Sequence, residues 1–354
     1  MSIPSELIGS IPRSPELLSA IAEHGAGRLS GAAFAEVQRR AVQDTIVRLE
    51  ALGSKVVTDG DQTKPSAYTY PVVGADNFSP DGVVLPFADG HRRQLPVLSS
   101  GPFRYQAHAE QFLRAAQKFA TVPVKQSVVS PSLLSLLYPP AGVSGYSHTQ
   151  YMEDLIAGAE ADIRGCLDAG VHVVQLELTE ARLALKLDPS GGVLHEFVEL
   201  NNMVLGRFSE VERARIGVHT DPGADQGSTH SLDVDYAELL PELFRLTVGS
   251  FYLSLASEAD PDRVLSAVAD QLPPEGRVFV GVTDPNDPVV ESVEQVRDRV
   301  LSAARHLPVE RLGTCDDSGF ASFADDLSVS RETAFAKIRA RLEGTASAAE
   351  ALGV

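Results

Sequence analysis

The sequence contains no tryptophan, only two cysteines and only three methionines among its 354 residues. Two cysteines, Cys166 and Cys315, exclude a disulfide framework and a cysteine-rich metal cluster. No run approaches the roughly 18 apolar residues of a membrane span, and the first residues form no basic, apolar leader. We therefore expect neither a membrane association nor a signal peptide, and predict a cytoplasmic protein.

Basic residues are also scarce, because 30 Lys and Arg face 48 Asp and Glu and leave a net charge of −18. The longest basic runs are the pairs at 39–40 and 92–93. Nucleic-acid binding needs clustered cations, so this class of partner is excluded and a small-molecule substrate is favoured. Hydrophobic residues make up 44% of the chain, enough for a sizeable core. No pattern indicates a particular oligomeric state.

Short apolar segments alternate with long amphipathic ones along most of the chain. The predicted strands are 7–11, 55–59, 122–129, 171–178, 215–220, 251–256, 277–283 and 311–315. The predicted helices are 32–52, 132–137, 146–169, 194–207, 236–246, 260–271, 293–306 and 331–342. Eight strands alternating with helices predict one α/β domain over residues 1–354, folded as a (β/α)₈ TIM barrel.

One segment, at about 63–103, interrupts this alternation and is rich in Pro, Gly and Asp. It contains strand-like pieces at 68–73, 83–87 and 94–98, which predict a β-hairpin or meander inserted after the second strand. The Ala-rich tail from Thr345 is expected to be a frayed end.

Polar residues gather where the predicted strands end, which is the active-site face of such a barrel. Glu177 is the most informative of them, because it lies inside an apolar strand and an unpaired buried carboxylate is costly. We therefore expect a ligand cation or a basic side chain beside it. Asp284 and Asp316 also follow strands, where capping of the next helix is an equal alternative.

The triplet His219-Thr220-Asp221 ends the predicted strand 215–220. Residues two apart on a strand face the same way, so His219 and Asp221 are predicted to converge as a catalytic or metal-binding pair. Such a pair suits either a metal ion or a histidine oriented for proton transfer. With His230 as a third ligand, the set also matches non-haem iron sites.

Several stretches together resemble the catalytic barrel of cobalamin-independent methionine synthase. The first is Ile-Gly-Ser-Ile-Pro-Arg at 8–13, which is similar to the opening motif of that barrel. The others follow in family order at 58–62, 124–127, 174–177, 217–220 and 316–320. The resemblance covers nearly the whole chain and points to the short single-barrel branch that includes epoxyalkane–coenzyme M transferase.

The resemblance implies how a substrate would be held. Ile8, Gly9 and Ser10 match the residues that bind a substrate carboxylate, and Asp61 and Glu177 match the two acids that bind its ammonium. Ser318, in the motif after the last strand, is a sixth residue expected to bind the substrate. An amino-acid-like or thiol-like substrate is therefore expected.

The resemblance also implies a divalent metal, with zinc first and iron as the alternative. The family motifs are His-x-Cys and Asp-Cys-Gly, whose cysteines bind zinc and turn a thiol into a thiolate. Here those cysteines correspond to Asp221 and Ser318, so His219 and Asp221 are the metal candidates, with His230 or Cys315 as additional ligands. The tryptophan that stacks on the folate donor has no counterpart, which makes a folate cofactor doubtful.

These observations favour a divergent methionine synthase-like transferase that moves a methyl or alkyl group, or performs a related lyase step, on a small substrate. Two alternatives stay open. One is a zinc-dependent methyltransferase from methyltetrahydrofolate to homocysteine. The other is a non-thiol acid–base or iron-dependent enzyme that uses His219 and Asp221.

Overall fold

The computed structural model describes residues 2–354, and its largest sheet has six parallel strands. These are β1 Gln126–Val129, β2 Val174–Glu177, β3 Ile216–Thr220, β4 Ser250–Leu253, β5 Arg277–Thr283 and β6 Leu312–Asp316. Each strand pairs in parallel with the next strand along the chain. All six strands are buried, apart from one exposed residue at the start of β5.

Two earlier segments close the barrel between β6 and β1. Ser5 forms a parallel bridge with Thr314 of β6, and Val57 forms one with Val124, just before β1. The two segments meet where Ile11 N donates to Gly60 O at 2.9 Å. The (β/α)₈ barrel is thus confirmed. Neither predicted strand forms a ladder: the bridge at Ser5 precedes the predicted strand 7–11, and Val57 makes the single bridge within 55–59. The chain leaves the ladder towards the polar loops that follow.

Helices cover the outside of the barrel. They are Pro15–Gly25, Gly31–Ala51, Ala109–Gln117, Pro131–Ser135, His148–Asp168, Glu180–Leu187, Gly192–Leu205, Glu210–Arg213, Tyr236–Leu243, Pro261–Gln271, Val293–His306 and Arg331–Leu352, with 3₁₀ turns at Tyr70–Val72 and Val309–Arg311. The helix Val293–His306 has the predicted bounds, and Ser292 and Gln295 form a capping box at its start. None of the helices within residues 2–354 combines the length and apolar character of a membrane span.

The expectation of a frayed tail from Thr345 is wrong. The last helix continues to Leu352, and its Thr345, Ala348 and Ala349 side chains are buried. Thr345 Oγ1 lies 2.9 Å from Thr314 Oγ1 of β6, so the final turns pack on the barrel wall. Small alanine side chains allow this close approach, although their composition resembles that of a loose end.

The predicted insertion is a pair of short antiparallel ladders. Val84–Pro86 pairs with Arg92–Gln94, and Phe78–Ser79 pairs with Val97–Leu98. The piece predicted as a strand at 68–73 contains a 3₁₀ turn instead, because Pro71 lacks the N–H that a ladder requires. A short ladder of Ala224–Asp225 with Ser228–Thr229 forms in the loop after β3.

Candidate active site

A narrow cavity opens at the carboxyl ends of the strands. Its lining comes from loops that are far apart in sequence: Ile8, Gly9, Ser10, Asp61, Ala67, Tyr68, Glu177, His219, Asp221, Gly319 and Ser322. The structure therefore brings together both members of the predicted catalytic pair and five of the six predicted substrate-binding residues. The sixth, Ser318, is buried next to Gly319, and its hydroxyl donates to Gly319 O at 3.2 Å.

His219 is held from both sides at the end of β3. Its Nδ1 lies 2.7 Å from Glu177 Oε2, and its Nε2 lies 2.9 Å from the backbone oxygen of Asp317. A carboxylate and a carbonyl only accept hydrogen bonds, so both ring nitrogens carry hydrogen and the ring is an imidazolium. Burial alone would lower the pKa of His219, but the Glu177 and Asp221 carboxylates and the Asp317 carbonyl raise it to about 8.

Asp221 lies on the same cavity wall as His219 and is almost completely buried. Its Oδ1 accepts the Gly223 N–H at 2.8 Å. No Lys, Arg or His of residues 2–354 lies within salt-bridge distance of this carboxylate, and burial raises its pKa in spite of the nearby His219 charge. Asp221 is therefore a carboxylate that can take up a proton from a bound ligand.

Asp61 reaches the cavity from a strained turn after Val57. Its φ of 52° is in the left-handed region, which a residue with a side chain seldom adopts. The turn is fixed by Arg13, which donates to Asp61 O at 2.7 Å and to Lys64 O at 2.9 Å. The Asp61 carboxylate is already paired, with Lys64 Nζ 2.7 Å from its Oδ1.

Ser10 occupies the opposite side of the cavity, next to the loop after β6. Its Oγ accepts the Ala321 N–H at 3.1 Å, which leaves the hydroxyl hydrogen free to donate to a ligand. Glycine is required at 319, because a Cβ there would come within 2.2 Å of Ser10 Oγ. Ser10 and the neighbouring Gly9 can thus approach an anionic group closely.

Sequence reasoning missed the residues that close the cavity. Tyr68, from the insertion, is buried and packs edge-on against Phe323 at 5.4 Å. Burial and the Asp221 and Glu177 carboxylates raise the pKa of Tyr68 well above 10, so its hydroxyl stays protonated. Ala67 and Ser322 complete this side. Neither periodicity nor a strand end indicates Ala67 or Tyr68 in the insertion, and Ser322 lies six residues beyond the end of β6.

Asp317 connects this site to the loop after β4. Its carboxylate accepts the N–H groups of Leu255, Ala256 and Ser257 and the Ser257 hydroxyl, each at 2.8 Å. Burial and the nearby Asp284 raise its pKa to about 7. Its backbone oxygen accepts the hydrogen bond from His219 Nε2. The position of the loop after β4 therefore influences how the imidazolium ring is oriented.

His230 and Cys315, the additional ligand candidates, lie outside this cavity. His230 lines an adjoining apolar cavity with Phe87 and Leu133, and its Nδ1 lies 2.6 Å from Ser231 Oγ. The Cys315 thiol lies inside the barrel in a cluster with Ile8, Tyr252 and Phe279, and it donates to Phe279 O.

The residues do not fit the metal site that the resemblance implies. The Nε2 atom of His219 is committed to a carbonyl, and a serine hydroxyl replaces a thiolate at position 318. Within residues 2–354, no group of three His, Cys, Asp or Glu side chains is placed to hold a metal ion.

Comparisons with known proteins agree with the barrel fold. A 5-methyltetrahydropteroyltriglutamate–homocysteine methyltransferase of Ralstonia pickettii is 23% identical over 90% of this chain and 39% of its own length. The chain thus spans about two fifths of such relatives. A B12-independent methionine synthase from Shewanella sp. W3-18-1 has the same fold, with a TM-score of 0.78, 16% identity and 99% of both chains covered. A putative one from Listeria monocytogenes gives a TM-score of 0.70 at 16% identity, with 98% of both chains covered.

The sequence model of one family accounts for most of the chain. It is described as the catalytic domain of cobalamin-independent synthase, and it matches residues 3–331. This span contains every residue of the cavity and all strands of the barrel. The chain belongs to the family of cobalamin-independent synthase catalytic domains.

Proposed function

We propose that this protein transfers a methyl or other small alkyl group to the sulfur of a small thiol, within the short single-barrel branch of its family. The observation that carries the proposal is the cavity itself, in which His219, Asp221, Glu177, Asp61 and Ser10 meet at the carboxyl end of the barrel. Relatives named as homocysteine methyltransferases support sulfur as the acceptor atom.

The chemical task is to form a thiolate, because the thiolate and not the thiol is the nucleophile. Asp221 takes the S–H proton on a carboxylate oxygen, as its raised pKa allows. The sulfur electron pair then forms the new C–S bond, while the bond between the alkyl carbon and the donor breaks and its electrons leave with the donor. The His219 imidazolium stabilises the negative sulfur before the transfer.

This assignment differs from an acid–base mechanism in which His219 is the base. Both ring nitrogens of His219 already donate hydrogen bonds, so the ring has no free lone pair near neutral pH. Glu177, and not Asp221, accepts the hydrogen bond from Nδ1. The geometry therefore supports Asp221 as the proton acceptor and His219 as a fixed positive charge.

The test is methyl transfer to homocysteine and 4-mercaptobutanoate, with methyltetrahydrofolate, a methylsulfonium compound and methyl iodide as donors. Methyl iodide needs no donor site, so it reports thiol activation alone. Asp221→Asn should lower the rate by about 100-fold or more, because the amide cannot take the proton. The control Asp81→Asn changes an exposed acid in the insertion and should leave the rate unchanged. The proposal fails if the protein accelerates S-methylation with none of these donors.

With methyltetrahydrofolate as donor, we expect no transfer. The chain has no tryptophan on which a pterin ring could stack. Rapid methionine formation from this donor would support the folate-dependent alternative.

A further inference from the structure

Another cavity, here called the outer cavity, lies between the barrel and two of the helices that cover it. Its volume is about 230 Å³. Val282 of β5 forms one side, and Leu265 and Ala303 form others, on the helices Pro261–Gln271 and Val293–His306. All of its lining residues differ from those of the active-site cavity, so the two cavities are separate.

The chemistry of the outer cavity is apolar. Eight of its eleven lining residues are Leu, Val, Ala, Pro or Gly. The three polar ones already have partners: Glu258 pairs with Arg182 at 2.6 Å, Ser302 Oγ donates to Asp262, and Arg299 Nη1 donates to a backbone oxygen of β5 at 2.8 Å. A charged group is costly to bury without a partner, so this lining favours an uncharged ligand.

The volume of the outer cavity sets the size of such a ligand. An apolar cavity of about 150 Å³ is large enough for benzene or xenon. A volume of about 230 Å³ therefore accommodates a compound of roughly 6–10 non-hydrogen atoms. Pro261 lines the cavity and is exposed, which gives a ligand access from solvent.

One wall of the outer cavity is the loop after β4, which Asp317 holds in place. Asp317 Oδ1 accepts the N–H groups of Leu255 and Ala256, each at 2.8 Å, and both residues line the cavity. Gly281 also lines it, and a Cβ at that position would come within 1.9 Å of the same Oδ1. A single layer of residues therefore separates the outer cavity from the Asp317 carboxylate.

The backbone of Asp317 continues this connection into the active site. Its oxygen accepts the hydrogen bond from His219 Nε2 at 2.9 Å. A ligand that packs against Leu255 and Ala256 adds contacts on the cavity side of these residues. Any resulting change in the position of their N–H groups moves the Asp317 carboxylate, and with it the acceptor of His219.

We propose that the outer cavity is a second ligand site, which binds a small uncharged apolar compound, and that binding changes the environment of His219 through Asp317. Such a ligand is an effector, because it acts on the active site from a separate position. Binding to the outer cavity does not depend on which reaction the active site performs.

The first test uses toluene as the probe and the wild-type protein at pH 7. An NMR titration should give a dissociation constant of about 1 mM or lower, and the ring nitrogen signals of His219 should shift as the site fills. Benzoate should bind at least about tenfold more weakly, because its carboxylate would enter an apolar lining. No binding of toluene, or tighter binding of benzoate, would overturn the ligand class. Saturation with toluene that leaves the His219 signals unchanged would overturn the link to the active site.

The second test fills the outer cavity with a side chain. Ala303 is buried and lines the cavity, so Ala303→Leu should weaken toluene binding at least about tenfold and remove the His219 shift. The matched control is Ala269→Leu, at an exposed position of the helix Pro261–Gln271, which should bind toluene like the wild type. Unchanged toluene binding in Ala303→Leu would show that toluene binds elsewhere and would overturn the proposal.

A crystal structure of the wild-type protein under xenon pressure decides the matter if Ala303→Leu does not fold. Xenon enters apolar cavities of this size, and its electron density is easily located. We expect a xenon atom in the outer cavity, beside Leu265 and Ala303. Xenon bound only at other positions, or at none, would overturn the proposal.

Discussion

His219 shows how the environment of one residue sets the chemistry that it can perform. In the sequence it is a histidine two residues before an aspartate, a pattern that equally suits a metal ligand, a base or a cation. The structure adds an acceptor at each ring nitrogen, Glu177 on one side and the Asp317 carbonyl on the other. Neither contact follows from spacing along the chain, because Asp317 is 98 residues away.

The positioning role of Asp317 predicts a measurable loss. Asp317→Asn replaces one acceptor oxygen with an NH₂ group that faces N–H donors, and it should cost about 2–4 kcal/mol in unfolding free energy. Ser257→Ala removes only one of the four hydrogen bonds and should cost roughly 1 kcal/mol. Nitrogen NMR of His219 should show two protonated ring nitrogens at pH 7 in the wild type and in Ser257→Ala, but not in Asp317→Asn. Unchanged His219 signals in Asp317→Asn would show that Asp317 does not position the ring.

Glu6, at the opposite end of the barrel, predicts a pH-dependent stability. Its carboxylate lies 3.5 Å from Lys125 Nζ and accepts the Tyr252 hydroxyl at 2.6 Å. Burial opposes ionisation, but Lys125, His172 and Tyr252 lower the pKa of Glu6 from 4.5 to about 2. A lowered folded-state pKa stabilises the protein above pH 4.5, and this contribution disappears as the pH falls towards 2.

Glu6→Gln should therefore reduce the unfolding free energy by about 3 kcal/mol at pH 7 and by progressively less below pH 4.5. Chemical denaturation at several pH values measures this difference. The exposed Glu310→Gln serves as the control and should change stability little at any pH. A difference that does not depend on pH would contradict the assigned pairing.

At the scale of elements, apolar periodicity predicted most of the long helices. Val293–His306 begins after a Ser-x-x-Gln capping box, and its apolar residues recur on one side. Four shorter helices were missed, because two or three turns carry too little periodicity: Pro15–Gly25, Ala109–Gln117, Glu180–Leu187 and Glu210–Arg213. The first two strands were misplaced. Each of these segments forms only a single bridge to its neighbouring strand, and a polar loop follows directly after it.

The packed last helix predicts unequal effects of two similar substitutions. Ala348 is fully buried against the barrel, whereas Ala346 in the same helix is exposed. Ala348→Glu should cost about 3 kcal/mol or more, because it buries an unpaired carboxylate, and Ala346→Glu should cost within about 0.5 kcal/mol. Thermal unfolding of the two variants compares them directly. Equal effects would support the frayed end that composition alone indicates.

The hairpin of the insertion is clamped by one arginine. Arg93 lies 2.5 Å from the buried Asp225 and 2.8 Å from Asp325, so it joins the hairpin to the loops after β3 and β6. Arg93→Met should destabilise this contact by roughly 1–3 kcal/mol and speed hydrogen exchange in both short ladders, Val84–Pro86 and Ala224–Asp225. Arg92→Met, at the exposed neighbouring position, is the control. Unchanged exchange in Arg93→Met would show that the clamp does not hold the hairpin.

At the scale of the whole molecule, the barrel and its active end were predictable, and the electrostatics of the site were not. Alternating strands and helices placed Ser10, Asp61, Glu177 and His219 at one rim, and the cavity contains all four. Sequence reasoning did not find that Lys64 pairs with Asp61, because this depends on a left-handed turn at Gly60 and Asp61. Tyr68 closes the cavity from the insertion. It does not lie at the end of a predicted strand, so the sequence does not mark it as a site residue.

The central claim is that a small sulfur compound binds with its sulfur between Asp221 and His219. The most direct measurement is a crystal structure with selenomethionine or its des-amino analogue, whichever binds more tightly, in which the anomalous signal locates the selenium. The account predicts one selenium site in the cavity, roughly 3–4 Å from the Asp221 carboxylate and near His219. A selenium site elsewhere, such as the apolar cavity beside Phe87 and His230, would contradict it.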